Sequence, residues 1–489
     1  MNLLRRRRFK ALFFGIAFLF CFSAAAAGAQ DFGFWDEDGQ GSGGGISASG
    51  VKIGGEVSAE LKGFFADMNS ADKFKELLPG DIFSGTLNFS VSGSAADAVI
   101  SLDLTPVFDG SSSPLSIDEA YLRTYFGPVN LEAGIRKLTW GKADSFGPLD
   151  VVNPLDYSDL SSIADPQSIK IAMPMLHASW NITSFSKLEA VIVPWFQGHK
   201  FATSGNWAPS AMTSLVPSMV GGIKAGLAQN PSIPLTVLPT LYANLDTWQA
   251  DFKIEEYYKP YNYTLRTAQA GTRFTTTIGS ADLGIQYYLG RLPRPAFSVH
   301  LVKYLGSGTF TPEDVQISMG YNYFHQIGVD YAQVLGGFNV RAEAGINLTK
   351  DLDGTDGAVY NPAAVFSLGF DRDIFRGLNL NLQGNSSVRL FQNKLGDSLL
   401  EDMEAGKDMT STRITAVLSK KFFRDELELK ATGLWGIEDK DFFIIPGVSW
   451  SKNDLSAELS AGFFGGDRSG ELGQYRDNGY IKTVLSYSF

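Results

Sequence analysis

The chain has 489 residues, a formal net charge of −11 and one cysteine, Cys21. A lone cysteine excludes a disulfide scaffold and any multi-cysteine metal site. The acidic balance argues against nucleic acid as a partner, because binding a phosphate backbone relies on an excess of lysine and arginine.

In chain order, Arg5 to Arg8 and Lys10 come first, followed by an apolar run from Ala11 to Phe22 and small residues ending in Ala27-Gly28-Ala29. A basic head, a short apolar body and a small-residue exit predict a cleaved signal peptide over 1–29. About 12 apolar residues are too few for a retained membrane helix, which needs roughly 20. Lipoprotein processing at Cys21 is disfavoured, since Leu19-Phe20 lacks the small residues it requires. Cleavage removes five cations and the cysteine, taking the formal charge from −11 to −16. Residues 30–50, rich in glycine and acid with Phe32, Phe34 and Trp35 embedded, read as a flexible periplasmic arm.

From Val51 the chain alternates. Val51, Ile53, Val57, Leu61 and Phe65 occupy odd positions, with Lys52, Glu56, Glu60 and Lys62 between them. Successive strand side chains point to opposite faces, so the segment has one apolar and one charged face. The same dyad returns at 83–91, 129–136, 338–348, 378–388, 427–435 and 455–463. No stretch after Phe22 holds 18 consecutive apolar residues, so helical spans are not expected.

A soluble sandwich would alternate too, but these runs often reach 10 to 15 residues, suited to a tilted bilayer crossing. Charges recur on the non-lipid face, as a wet interior allows. Aromatic pairs near strand ends (Tyr121 and Tyr125, Tyr287 and Tyr288, Phe442 and Phe443, Phe463 and Phe464) suggest interface girdles. Ile481, Thr483, Leu485, Tyr487 and Phe489 alternate to a terminal phenylalanine, and this resembles the terminal-strand signature read by the barrel-assembly machinery. Tyr487 and Phe489 are the candidate assembly signal.

The expected fold is therefore an all-β transmembrane antiparallel up-and-down barrel over 51–489, with 16 to 20 strands and 18 as the best estimate, the even number being the norm for bacterial single chains. Gly127-Pro128, Asn181 to Ser184, Ser280, Gly336-Gly337 and Phe423 to Asp425 read as periplasmic turns. Connections near 66–80, 140–168, 196–268 and 391–411 read as long extracellular loops. Between Phe297 and Leu335 the alternation does not say where one strand stops.

Two loops carry candidate function. Between β-like segments, Trp140, Asp144, Asp150, Asn153 and Asp156 are constriction-loop candidates. The favoured reading is structural, with Pro148, Asn153 and Pro154 in turns and the acids capping or pairing with lysines; a constriction comes second and a calcium site through oxygens third. In the longest loop, Met212, Leu215, Val216, Met219, Val220, Ile223 and Leu227 recur at helical spacing, predicting one short helix with an apolar stripe. Ile233 to Leu241, interrupted by Pro234 and Pro239, is a further apolar stretch. The stripe should fold back onto the barrel wall or rim; the sharper alternative is a lid or capture surface for hydrophobic cargo.

Ile117-Asp118-Glu119-Ala120-Tyr121-Leu122, then Ala133 to Lys137, Trp140-Gly141-Lys142-Ala143-Asp144 and Asp150-Val151-Val152-Asn153-Pro154-Leu155-Asp156 follow one another in a distinctive order. This order resembles porin-like outer-membrane barrels related to the alginate-export group and an uncharacterised set beside it. Such barrels carry D-E-A-Y-L, a G-R-Q strand end, W-G and D-V-x-N-P-x-D; here Gly134-Ile135-Arg136 departs by one residue. The match covers roughly 117–157, with weaker similarity at Gly284 to Pro295 and at Arg341 to Ala344. The resemblance implies a substrate-conducting barrel and leaves its cargo open.

His177, His199, His300 and His325 form no recognisable catalytic motif, and neither G-x-S-x-G nor H-E-x-x-H occurs. No enzyme activity, cofactor or metal is expected. The leading expectation is an outer-membrane channel for passive passage of small solutes or hydrophobic molecules, with Arg123, Glu132, Arg136, Arg341 and Glu343 as lumen and selectivity candidates. The alternative is a surface-exposed structural or binding barrel with a plugged lumen. Partners would be outer-membrane lipid, the assembly machinery and a small-molecule cargo, with self-association left open.

Overall fold

A computed structural model describes residues 46–48, 50–67, 82–105, 114–301, 315–397 and 402–489. The expected signal peptide, nearly all of the expected arm and most of the loop near 66–80 lie outside the described residues.

Eighteen strands form the barrel: β1 (Val51–Phe64), β2 (Phe83–Ser92), β3 (Ala96–Leu104), β4 (Leu115–Phe126), β5 (Val129–Arg136), β6 (Met173–Asn181), β7 (Ser186–Val193), β8 (Gln269–Ile278), β9 (Ala281–Arg291), β10 (Tyr323–Leu335), β11 (Phe338–Thr349), β12 (Ala363–Phe375), β13 (Leu378–Arg389), β14 (Thr410–Phe422), β15 (Leu427–Gly436), β16 (Asp441–Lys452), β17 (Leu455–Gly466) and β18 (Tyr480–Ser488). Each pairs antiparallel with its neighbour in sequence. The ring closes where β1 pairs with β18, from Glu56 opposite Ser488 to Phe64 opposite Tyr480. Gly55 and Phe489 extend this seam, each N–H donating to the other's carbonyl at 2.9 Å. Closure leaves no edge whose backbone groups would be stranded in hydrocarbon.

The long connections all fall at one end. Tight turns such as 127–128, 279–280 and 336–337 fall at the other. Gly336 and Gly337 take φ of 59° and 83°, the two left-handed positions a two-residue hairpin of primed type demands. Strand faces follow the alternation: Leu61, Leu131, Leu176, Ile285, Ile327 and Leu368 are exposed on the outside, while Glu132, Arg273, Gln286, Asp330 and Glu343 point inward and are buried.

Two expectations are corrected and one ambiguity is resolved. Adjacent strand residues cannot share a face, so only one member of each neighbouring aromatic pair joins the outer girdle: Tyr287, Phe442 and Phe463 are exposed, whereas Tyr288, Phe443 and Phe464 are buried inside. The ambiguous stretch from Phe297 contains a separate hairpin, Ala296–Leu301 with Val315–Gly320, that is no part of the barrel sheet. And the longest loop holds two substantial helices, α1 (Leu215–Gln229) and α2 (Leu238–Asp251). Pro239 does not break the second, because it sits in the first turn, where its missing N–H has no helical partner to lose. Among the described residues no helix is long and apolar enough to cross a membrane.

The seam depends on Gly55. A Cβ there would lie 2.4 Å from the Thr86 carbonyl oxygen and 2.8 Å from the Phe489 ring. Gly55→Val should therefore cost about 1–3 kcal/mol by overpacking, read as a lower melting temperature of the folded, heat-shifted band on SDS gels.

Candidate functional site

The connection between β5 and β6, residues 137–172, does not rise away from the barrel: it folds inward and crosses the lumen. Its first arm docks on β8 to β13. Trp140 wedges against Gly271 and Tyr288, where a Cβ on Gly271 would meet the indole at 2.7 Å. Glu343 of β11 then holds the loop through its carboxylate. The backbone N–H groups of Lys142, Ala143 and Leu149 donate to it at 2.5, 2.7 and 3.2 Å. Gly141 makes this possible: its φ is 93° and a Cβ would sit 2.3 Å from the Glu343 Oε1.

Amide side chains complete the dock. Gln286 donates to the Leu149 carbonyl at 2.7 Å and Gln326 to that of Pro148 at 2.9 Å. Gln383 accepts from the N–H groups of Asp144 and Ser145 and donates to the Ser145 carbonyl. Asn385 donates to the carbonyls of Ser145 and Phe146. Phe146 is thereby held at φ 48°, a left-handed backbone that persists only where the surroundings over-determine it. Leu149 fills the gap left by Gly328 and Gly345.

The second arm reaches the opposite wall. Asp159 pairs with Lys62 of β1, and the Tyr480 hydroxyl of β18 donates to the Ser161 carbonyl at 3.0 Å. Leu160 and Ile163 enter an apolar cluster with Phe443, Phe464 and Tyr480 from the wall and Trp207 from the loop between β7 and β8. β1 and β10 face each other across the eighteen-strand ring, so the loop is pinned at both ends of a diameter.

The predicted loop residues thus divide. Asp144 projects to Arg341, whose guanidinium donates to Asp144 and Asp371 at 2.6 Å each. Asp150 pairs with the buried Lys170 at 2.7 Å. Asn153 staples the loop base, accepting from the Leu138 N–H at 2.8 Å and donating to the carbonyls of Arg136 and Ile171. Asp156 caps Ser158 and pairs with Lys200. The acids do cap and pair, yet the loop they hold lies across the lumen. Among the described residues no group of three or more His, Cys, Asp or Glu is placed to hold a metal ion.

The lumen candidates also divide. Arg341 and Glu343 touch the inner loop. Arg123, Glu132 and Arg136 form a separate ladder on β4 and β5. Glu132 takes Arg123 at 2.6 Å, Arg136, and the His177 Nδ1 at 2.8 Å; the His177 Nε2 lies 3.3 Å from Glu189, which Lys187 joins. Arg136 also lies 5.0 Å over the Tyr121 ring.

The apolar stripe in the long loop is neither a free surface nor a contact with the wall. Val216, Met219, Val220, Ile223 and Leu227 of α1 pack on Leu238, Leu241, Leu245 and Trp248 of α2 as a self-contained helical hairpin. Met212 is buried in the short turn before α1, and Leu215 opens that helix. Tyr487 pairs with Val57 and Leu455 in the closing seam, beside the Phe489–Gly55 bonds.

The closed ring of eighteen strands, apolar outside and polar within, makes this chain an outer-membrane β-barrel of porin-like build. No family model matches it, and no curated protein matches it either. Among solved structures it is similar in fold to the outer-membrane protein OpdK of Pseudomonas aeruginosa, at 9% identity, covering 90% of this chain and 98% of that one, with a TM-score of 0.45. Acinetobacter baumannii OccAB4 stands at 7% identity, 90% and 97% coverage and a TM-score of 0.45. Escherichia coli Wzi, described as a carbohydrate-binding barrel involved in Group 1 capsule assembly, stands at 11%, 89% and 84%, and 0.43.

Two outcomes follow from the loop's anchors. Glu343→Ala strands three loop N–H donors, each bond to a charged group being worth about 1.5–3 kcal/mol, and should expose residues 137–172 to limited proteolysis that spares the wild-type loop. His199, in the loop between β7 and β8, accepts the Leu155 N–H on Nδ1 at 2.9 Å. Burial, with Arg294 nearby, holds its pKa down at about 3. The neutral ring therefore supports the fold above its ordinary value of roughly 6.5, and that support is lost as pH falls from there toward 3. The melting temperature should drop less between pH 7 and pH 4 in His199→Asn than in wild type, all other titrating groups being shared.

Proposed function

We propose that this barrel is a porin-like channel for passive passage of small polar solutes, with the inner loop as its constriction. The observation that carries the reading is the wall-to-wall docking of residues 137–172 by Glu343, Gln286, Gln326, Gln383 and Lys62. A loop fixed at that depth narrows the lumen to the spaces beside it, so size and the charges of Asp144, Arg341 and Asp371 select what passes. Hydrophobic cargo has less support, since the apolar stripe on α1 is already covered by α2. Kinship with the alginate-export-related barrels rests on the 117–157 motif and the weaker similarity at Gly284 to Pro295 and Arg341 to Ala344, and belongs to this proposal. So do outer-membrane lipid and the barrel-assembly machinery as partners, the latter through Tyr487 and Phe489. No step of this mechanism involves covalent chemistry.

The same wall-to-wall crossing favours a second reading, a binding barrel whose lumen is plugged. Planar-bilayer recording of refolded residues 30–489 separates them. A channel gives steady conductance that rises several-fold when residues 141–149 are replaced by a short glycine linker. A plugged barrel is silent until that replacement is made. Silence from both folded proteins would overturn the channel.

A further inference from the structure

We propose that the outer wall at the turn end of β12 to β14 seats the phosphodiester of an anionic phospholipid through Arg372, Arg376 and Lys420. The proposal rests on the reading of this barrel as lying in lipid, and it holds whether or not the lumen conducts.

Strand parity places the site. Arg372 follows the outward Leu368 by four residues on β12, and Lys420 follows the outward Leu418 by two on β14, so both project from the lipid-facing side. Register sets them side by side: Arg372 lies opposite Leu380 of β13, and Lys420 opposite Leu378 of the same strand. Their backbones are two strands apart, about 10 Å across the sheet, a gap that two long side chains span from either side. Arg376 stands in the tight turn between β12 and β13.

Each cation sits over a ring. Arg372 lies 4.5 Å over Phe338, Arg376 lies 5.1 Å over Phe375, and Lys420 lies 5.3 Å over Phe422. Rings set against acyl chains, with charges directed past them to the headgroups, are how a protein wall meets the membrane surface.

What singles out this strip is that its charges are unanswered. Other outward cations are matched: Arg291 donates to the Tyr321 carbonyl at 2.6 Å, and Lys452 lies 3.5 Å from Glu426. Arg372 makes one long bond, 3.4 Å, to the Gly336 carbonyl, and among the described residues none of Arg372, Arg376 and Lys420 pairs with a carboxylate. Arg424 stands near but shares its turn with Asp425, so the seat does not include it. Among the described residues no outward strand position at the turn end carries an acid. The amine of a zwitterionic headgroup therefore finds no partner here, whereas a phosphodiester finds guanidinium and ammonium donors. Arg376 is also held at φ 44° and is followed by Gly377 at 75°, a turn in which Gly, Asn or Asp would cost less. A cation kept there despite that cost marks the charge itself as the useful feature.

The test uses the folded mature protein, residues 30–489, in detergent. Native mass spectrometry counts bound phosphatidylglycerol and phosphatidylethanolamine of identical chains. Phosphatidylglycerol should bind saturably at one site, about tenfold tighter than phosphatidylethanolamine, and Arg372→Gln/Lys420→Gln should bring that preference to about twofold or less. Arg376→Asn, which suits the turn, should cut it about threefold. Lys253→Gln/Lys350→Gln removes the same charge from the loop end and should leave the preference intact. The heat-shifted band verifies that each variant folds. Equal binding of the two lipids, a preference that survives Arg372→Gln/Lys420→Gln, or an equal loss in the loop-end variant overturns the proposal. Insertion into phosphatidylcholine vesicles, read by the same band, tests the reading beneath it. Insertion without the preference removes the seat and leaves the membrane barrel; failure to insert removes both.

Discussion

Everything in this molecule depends on closing the hydrogen-bond ring between β1 and β18. In hydrocarbon an unpaired backbone donor or acceptor costs several kcal/mol, so a sheet can cross only if its first strand finds its last. The antiparallel seam from Glu56–Ser488 to Phe64–Tyr480 does that. An even strand number follows, and with it both chain ends of the barrel at the turn end. All long connections then fall at the opposite end, where they are free to grow without disturbing the ring. One of them, residues 137–172, has grown inward.

Closure moves the problem of stranded backbone from the wall to the lumen. A loop that leaves bulk water must have its own N–H and C=O groups answered, and the inner face of β9 to β13 answers them. Glu343 takes the donors, Gln286 and Gln326 supply donors to carbonyls, and Gln383 does both. Side chains alone would hold the loop too far from the wall. Gly271, Gly328 and Gly345 remove wall side chains just where Trp140 and Leu149 press in. The dock therefore needs two kinds of residue at once: polar side chains long enough to reach backbone, and glycines that open windows between them.

Of these two kinds, only Glu343 among the polar side chains was singled out from the sequence. Alternation placed Arg341 and Glu343 inside and Leu131 outside, because strand geometry ties face to parity without any tertiary knowledge. The same rule could not tell a barrel strand from the Ala296–Leu301 and Val315–Gly320 hairpin, since both alternate. It could not reveal that Asp144 and Arg341, each singled out by itself, meet across 197 residues of chain. Gln286, Gln326, Gln383 and Asn385 escaped notice because a neutral amide on a strand looks the same whether it faces water or a docked loop. The usable signal lay in the glycines: isolated inward glycines in strand interiors mark close approach by another backbone, and β8, β10 and β11 each carry one. The helical hairpin was half legible, its first helix by its stripe, its second hidden by prolines that turned out to lie before and at its start.

The way the inner loop is held also bears on how the channel would select. A lid drawn from the low-stability end of the fold would show few buried bonds. This loop instead consumes a buried glutamate, three glutamines, an asparagine, a buried lysine–aspartate pair and an apolar cluster. It behaves as a second wall. Selection then comes from fixed groups, with no opening and closing, and the charged groups beside the loop are Asp144, Arg341 and Asp371.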